Sequence, residues 1–400
     1  KRYFSSVREY TPVKIQTKPI IFLTASGEIK LVLNKKNIHE WQLKEWLARY
    51  KKEALVSTGG IRGAQNVLFC WDCRFPIHQL GVALATAGKA EVLKKRIKNR
   101  AIHKIAGREV RYNSAEYVEL IARIQAGQGI HTHLAKSGGT MPVWMASFLI
   151  FILDYDGGEY VTSSHAASSK IATKDLSELG SQFLPEDSLA FVNEIEGFLR
   201  KAEKAKNGYT ILLSPKKSAY IHYDVDGIKL YTKYLRTTVA RSSVLSIIKK
   251  ARKNGFRVMF ELVGGCMYRT ISQVYGALGI EDVVDWHHKT EDPFFHGVGK
   301  VLRRDPNSKK NQLFDLSCDA CLPEVVETMG FGSALPQKPI GYTVLITDPD
   351  GDRLVMGQVE PASREPRLRA LDIVVIPINS SKVFALYHPT HSFLALMDFH

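Results

Sequence analysis

Cysteine is scarce and odd in number, five in 400 residues. A disulfide framework is therefore excluded as the source of stability, and reduced thiols in a cytoplasmic protein are expected. Two Cys-x-x-Cys pairs occur, Cys70-Trp71-Asp72-Cys73 and Cys318-Asp319-Ala320-Cys321. They lie much too far apart for a zinc ribbon, whose pairs stand about 15–20 residues from one another. Long hydrophobic runs are missing as well. The longest, 141–153, contains Pro142 and ends before Asp154, too short to span a bilayer, so no membrane partner is expected. No secretory leader is expected. The chain begins Lys-Arg rather than Met, so a missing true start is expected. Tandem repeats and low-complexity tracts are absent. Acidic residues are in deficit, 40 against 55 basic ones, which leaves a net charge of +15. Such a balance favours anionic partners, nucleic acid or phosphorylated small molecules. The chain has no zinc-finger spacing, RNP-type aromatic stretch or arginine-rich tail. The basic runs at 94–111 and 249–253 therefore read as solvated helix faces, with no nucleic-acid partner expected.

What remains is an ordinary soluble composition, 45% apolar, in a chain long enough for two or three domains. Helical and strand periods alternate. Residues 114–126 read as a helix capped by Ser114, Pro142 as the start of another, and 159–162 as a strand. Residues 244–253 read as a helix, 256–262 as a strand, Gly264-Gly265 as a turn and 268–278 as a helix. This alternation predicts an α/β fold, with mixed sheets carrying helices on both faces. The polar stretch 168–222, with one amphipathic segment at 188–204, reads as a helical insertion in the first domain.

The densest chemistry lies at Asp348-Pro349-Asp350-Gly351-Asp352-Arg353, straight after the apolar strand 342–346. Three carboxylates leaving one strand end repel one another unless a hard cation joins them, Mg²⁺ or a relative. An EF-hand is excluded, because its sixth and twelfth positions would hold Arg353 and Val359 instead of Gly and Glu. Four other segments carry reactive or cationic groups. Ser57-Thr58-Gly59-Gly60-Ile61-Arg62-Gly63 lets backbone approach an anion beside a fixed cation. Thr162-Ser163-Ser164-His165 presents a hydroxyl beside an imidazole, a candidate nucleophile. Asp226-Gly227-Ile228-Lys229 places a lysine after a turn, at the start of a predicted strand, where it can hold a phosphate. The loop 292–300 ends in Lys300. His287, His288 and His296 near it read as surface histidines in preference to a metal site.

The order of these segments resembles the α-D-phosphohexomutase superfamily, the phosphoglucomutase and phosphomannomutase enzymes. Residues 57–63 look like its early loop, and Gly107-Arg108-Glu109-Val110-Arg111-Tyr112-Asn113-Ser114 like its glycine-arginine stretch. Thr140-Met141-Pro142 is similar to its threonine-proline turn, Thr162-Ser163-Ser164-His165 to its phosphoserine signature and Gly227-Ile228-Lys229 to its Gly-x-Lys. Residues 348–353 are similar to its metal loop. The resemblance implies that Ser164 carries the phosphoryl group, and that Asp348, Asp350, Asp352 and phosphorylated Ser164 hold Mg²⁺. It further implies that Arg62, His165 and Lys229 surround the phosphoserine, and that Arg62, Arg111, Lys229 and Arg353 bind phosphate. The implied reaction interconverts hexose 1-phosphate and hexose 6-phosphate, glucose favoured and mannose open, through a hexose 1,6-bisphosphate that also primes the enzyme.

The resemblance orders the chain as an N-terminal extension (1–56), a phosphoserine domain (57–235, insertion about 168–222), a metal-loop domain (236–370) and the opening of a third domain (371–400). Two departures stand out. Ala166-Ala167 replace the family's Asn-Pro after the Ser-His pair. The sugar-recognition loop and the Arg-Ser-Gly-Thr phosphate clamp of the family's later domains are not in this sequence, so a further C-terminal segment or a partner chain is expected to supply them. The competing expectation is a catalytically impaired descendant that binds phosphosugars or a partner.

Overall fold

The computed structural model describes residues 18–19, 21–24, 27–30, 32–40, 42–54, 62–64 and 79–391. The segment 57–61 and the pair Cys70 and Cys73 lie outside them. The chain folds as two units. The first takes the described residues of 1–108, 112–163 and 169–226. The second takes 109–111, 164–168 and 227–391. Among the described residues, no helix is long and apolar enough to cross a membrane.

The first unit is built on strands β1 (Arg62–Ala64), β2 (Ile102–Arg108), β3 (Ile130–Ala135), β4 (Gly158–Val161), β5 (Lys170–Leu176) and β6 (Ile221–Val225), in the order β6-β3-β2-β4-β5-β1. The inner pairs β6–β3, β3–β2 and β2–β4 are parallel, while β5 runs antiparallel to both β4 and β1. Helices α1 (Gln79–Arg96), α2 (Ser114–Gly127), α3 (Val143–Ile152) and α4 (Pro185–Lys204) cover it. Alternation along β2 divides them between the faces. Lys104 points to the side of α1 and α2, where its ammonium meets Glu159, which also bonds Lys89 of α1 and Gln125 of α2. Ile105 lies on the other side, where Ile150 of α3 packs against Gly158. The segment 168–222, expected as an insertion, supplies β5 to the sheet and α4 to the core, with Phe191, Ile195 and Phe198 buried. Ser114 is the first residue of α2, not its cap. Asn113 stands before it at φ 61° and makes no side-chain capping bond.

The second unit places helices α5 (Ile228–Thr237), α6 (Ser242–Lys253) and α7 (Met267–Leu278) with strands β7 (Val258–Glu261), β8 (Val284–His287), β9 (Thr343–Thr347), β10 (Leu354–Pro361), β11 (Val374–Pro377) and β12 (Lys382–Tyr387). The sheet order is β8-β7-β9-β10-β12-β11, parallel across β8, β7 and β9 and antiparallel beyond. Residues 374–387, expected to open a further domain, are hydrogen-bonded into this sheet as its outer strands. Lys229, expected at a strand start, lies in the first turn of α5. The apolar spacing Ile228, Tyr231, Leu235 is helical, and Tyr231 N–H closes the turn on the Gly227 carbonyl at 2.8 Å.

The basic run 94–111 is only partly a solvated face. Lys94, Lys95 and Arg96 are exposed and paired with Glu91, Glu194 and Asp187. Lys104 and Arg111 are fully buried.

A candidate phosphoryl-transfer site on the second unit

The parallel strands β7, β8 and β9 end along one edge, the position at which α/β sheets present ligands. Just after β9 the chain turns back into β10, and the turn is the acidic loop. Gly351 takes φ 80°, and its N–H reaches the Asp348 carbonyl at 3.1 Å. The Arg353 N–H closes the loop on Asp348 Oδ1, also at 3.1 Å. From behind, Cys266 N–H donates to the Pro349 carbonyl at 2.9 Å. The backbones approach so closely there that a side chain on Gly265 would meet Pro349 at 2.5 Å.

This turn gathers Asp348, Asp350 and Asp352, whose nearest carboxylate oxygens all lie within 4.8 Å of one another. Asp348 and Asp350 are buried and Asp352 is exposed. Burial, and then the neighbouring charges of Asp350 and Asp352, push the Asp348 carboxyl well above the ordinary carboxylate range. An all-oxygen set of this kind, crowded enough to disfavour its own ionisation, fits a hard divalent cation such as Mg²⁺.

Ser164 belongs to the same unit. Its Oγ donates to Asp348 Oδ2 at 2.8 Å and lies 3.4 Å from His165 Nδ1. Ser164 holds φ 52°, a left-handed conformation rare for residues with a side chain. What holds it is Arg111. This guanidinium is buried and donates to the carbonyls of Ser164 (2.7 Å), Ala166 (2.6 Å) and Ala167 (2.6 Å). It stacks over the Phe295 ring at 4.8 Å and pairs with Glu109 at 3.0 Å. Arg111 is expected among the phosphate-binding residues, but its donors are turned to the loop's own carbonyls. The loop with Ala166-Ala167 in place of Asn-Pro is pinned at two more points. Cys318 N–H donates to the His165 carbonyl at 2.8 Å, and Ser168 Oγ donates to Asp315 at 2.8 Å.

A cleft of about 320 Å³ opens beside these groups, lined among others by His165, Asp319, Cys321, Asp348, Asp352 and Arg353. Asp319 lies 3.7 Å from His165 Nε2 and 3.9 Å from the Arg353 guanidinium, so it links the two. Burial drives the Cys318 thiol well above its ordinary value, which makes it a poor nucleophile.

Of the residues expected at the site, Ser164, His165, Asp348, Asp350, Asp352 and Arg353 come together. Lys229 is exposed on α5, and no hydrogen bond or ion pair joins it to them among the described residues. Arg62 lies on β1, and its side chain is outside the described part. Sequence reasoning missed Asp319, Asp315 and the Glu109–Arg111 pair. The Cys-x-x-Cys motif held the only signal for Asp319, read there as a thiol motif. The three histidines read as surface residues include two, His287 and His288, that converge on buried Glu261.

Residues 54–205 match the family described as phosphoglucomutase/phosphomannomutase, alpha/beta/alpha domain I. No curated protein matches. Among solved structures, one from Thermus thermophilus assigned as a phosphomannomutase is 18% identical, with a TM-score of 0.52 over 75% of this chain and 56% of its own. The exocytosis-sensitive phosphoprotein pp63/parafusin of Paramecium, a phosphoglucomutase in its open form, is 15% identical. Its TM-score is 0.54 over 76% of this chain and 52% of its own. The chain spans just over half the length of these structures, which show a shared mixed α/β fold. Together with the family match, they support the resemblance carried by the motifs.

Proposed function

We infer, from the fold and motifs of the α-D-phosphohexomutase superfamily, that this chain moves a phosphoryl group between Ser164 and a hexose monophosphate. The observation that carries the reading is the 2.8 Å bond from Ser164 Oγ to Asp348, at the head of the three-carboxylate loop. Asp348, Asp350 and Asp352 would hold Mg²⁺, with Ser164 beside them. When bound, the cation neutralises charge on the phosphoryl group.

The chain's own residues do the rest. To load the enzyme, Ser164 Oγ forms a bond to phosphorus of a hexose 1,6-bisphosphate as the bond from phosphorus to the sugar oxygen breaks. The Oγ proton leaves toward Asp348 or His165, the two groups that face it, and the released sugar oxygen takes up a proton. The reverse transfer delivers the group to the other hydroxyl, which interconverts hexose 1-phosphate and hexose 6-phosphate. Arg111 positions the Ser164 loop, and Asp319 orients His165 and Arg353. Arg353 supplies positive charge to substrate phosphate. Glucose is the favoured sugar, with mannose second. The sugar and the distal phosphate are contacted by a further segment or a partner chain. Free Cys266, Cys318 and Cys321 suit the cytoplasmic setting expected from the cysteine count.

The test is phosphopeptide mapping after incubation with glucose 1,6-bisphosphate and Mg²⁺. Label on Ser164, absent from Ser164→Ala and strongly reduced in Asp350→Ala, is the expected result. A folded chain that takes no label on Ser164 would overturn the reading. Mannose 1,6-bisphosphate in a parallel arm ranks the sugars.

A further inference from the structure

The second unit carries a polar cluster that the phosphoryl chemistry does not use. Glu261 is the last residue of β7 and His287 the last of β8, and the parallel register sets them side by side. The next side chain along a regular strand would point to the opposite face. His288 instead takes φ 41°, and its ring returns to within 4.2 Å of the His287 ring, centroid to centroid. Both imidazoles then meet one carboxylate. His287 Nδ1 pairs with Glu261 Oε2, and His288 Nδ1 lies 3.0 Å from each Glu261 oxygen.

The carboxylate is anchored from the protein side. Glu261 is fully buried, and its Oε1 accepts the Val263 N–H at 2.6 Å. The histidines are open to the outside, their side chains 27% and 22% exposed. His296 stacks on His288 at 4.9 Å and donates through Nε2 to the Thr290 carbonyl at 2.8 Å, which walls one side of the cluster.

Two imidazole nitrogens and one buried carboxylate converge on a common point. A divalent ion fits such a set, since it takes neutral imidazole nitrogens and an ionised carboxylate together. We propose that Glu261, His287 and His288 form a binding site for a borderline transition-metal dication, with Zn²⁺ as the type. One ligand atom from each residue lies within 4.8 Å of the other two. Two nitrogens and one oxygen suit Zn²⁺, Co²⁺ or Ni²⁺, whereas Mg²⁺ prefers the all-oxygen loop after β9. Three protein ligands leave a coordination position free, and the exposed rings turn it to solvent. The Val263 N–H is the outer partner that orients the carboxylate.

The experiment is a Co²⁺ titration of the full chain in excess Mg²⁺, read by visible absorption, followed by displacement with Zn²⁺. One equivalent is expected in the wild type and in Asp350→Asn. His287→Gln and His288→Gln should each weaken binding more than the ~10–100-fold that loss of an outer partner costs, with circular dichroism confirming the fold. Zn²⁺ should also protect His287 and His288 from diethyl pyrocarbonate, a readout by mass spectrometry that needs no variant. No bound Co²⁺ in excess Mg²⁺ overturns the site. So does binding untouched by both histidine variants, or binding lost in Asp350→Asn.

Discussion

Two carboxylate-centred clusters stand at strand ends along one edge of the same sheet, and they are built in opposite ways. The acidic loop draws Asp348, Asp350 and Asp352 from a single turn, and its ligands are all oxygen. The Glu261 cluster draws one residue from β7 and two from the end of β8, and its donors are mixed. The first is a local device: a Pro-Asp-Gly turn suffices to bring alternate carboxylates together. The second exists only through the strand register and one left-handed residue, His288. A local cluster can be read in a sequence and survives loosening of the sheet. A cluster assembled by register can do neither.

The largest effect should separate the clusters by chemistry. Asp350→Asn removes one charge from the buried centre of the acidic loop. Mg²⁺-dependent labelling of Ser164 should fall about 1000-fold, the several kcal/mol that cation stabilisation of a phosphoryl group supplies. Co²⁺ binding at Glu261 should stay. Equal loss of both would show that the clusters act as one.

Next comes the support of the local cluster. Arg111→Met leaves Glu109 buried without its cation and strips three carbonyls of donors. Breaking a buried pair of this kind costs about 3–5 kcal/mol. A melting temperature indistinguishable from wild type would mean that the Ser164 loop is held by other contacts, such as Cys318 and Asp315.

The legible part of the molecule follows the same division. The acidic loop, the Ser164-His165 pair, the strand before each and helices such as 244–253 are patterns of neighbours in sequence, so period and turn chemistry reveal them. Arg111 is visible as part of a glycine-arginine stretch, yet its burial under Ser164 is not, since an arginine that serves backbone carbonyls looks the same as one that serves a phosphate. Gly227 suggests a turn and hence a strand at Lys229, while the helical spacing of Ile228, Tyr231 and Leu235 decides the matter. Glu261 carries no signal: a single glutamate after an apolar run is unremarkable until β8 sets His287 beside it. The outer strands 374–377 and 382–387 read as the opening of a further domain, and only their pairing, β12 on β10 and β11 on β12, shows them as part of this sheet.

A smaller effect should distinguish register from turn directly. Trp286 stands on β8 next to His287, stacks on Phe260 of β7 at 5.8 Å and meets the Tyr268 edge at 5.3 Å. Trp286→Ala loosens the pairing that aligns Glu261 with the histidines. Co²⁺ affinity should drop by roughly 10-fold, within the range for loss of a supporting residue. Ser164 labelling should change by less than about 2-fold, because the acidic loop needs no register with β8. A matching drop in both would erase the distinction between the clusters.

The mildest prediction sets the Glu261 histidines against a second stack of histidines, in which His133 pairs with Asp224. In the first unit His103 stacks on His131 at 4.7 Å and on His133 at 5.2 Å, and its Nδ1 lies 2.9 Å from His133 Nε2. Burial, then the charges of His133 and His131, lower His103 to about 4, with His222 adding to the effect and Asp156 opposing it. The folded state therefore keeps His103 neutral while the unfolded chain takes up a proton at an ordinary pKa of about 6.5. The stabilisation that neutral His103 gives is complete above about pH 6.5 and is lost as the pH falls toward about 4. His103 is only half-buried, so the loss is part of what full burial would give. Melting curves between about pH 7 and 5 should slope downward on the acid side, and His103→Asn should flatten that slope without moving Co²⁺ binding. An unchanged slope in His103→Asn would assign the acid sensitivity elsewhere, and a shift in Co²⁺ affinity would mean that the two sets of histidines are coupled across the chain.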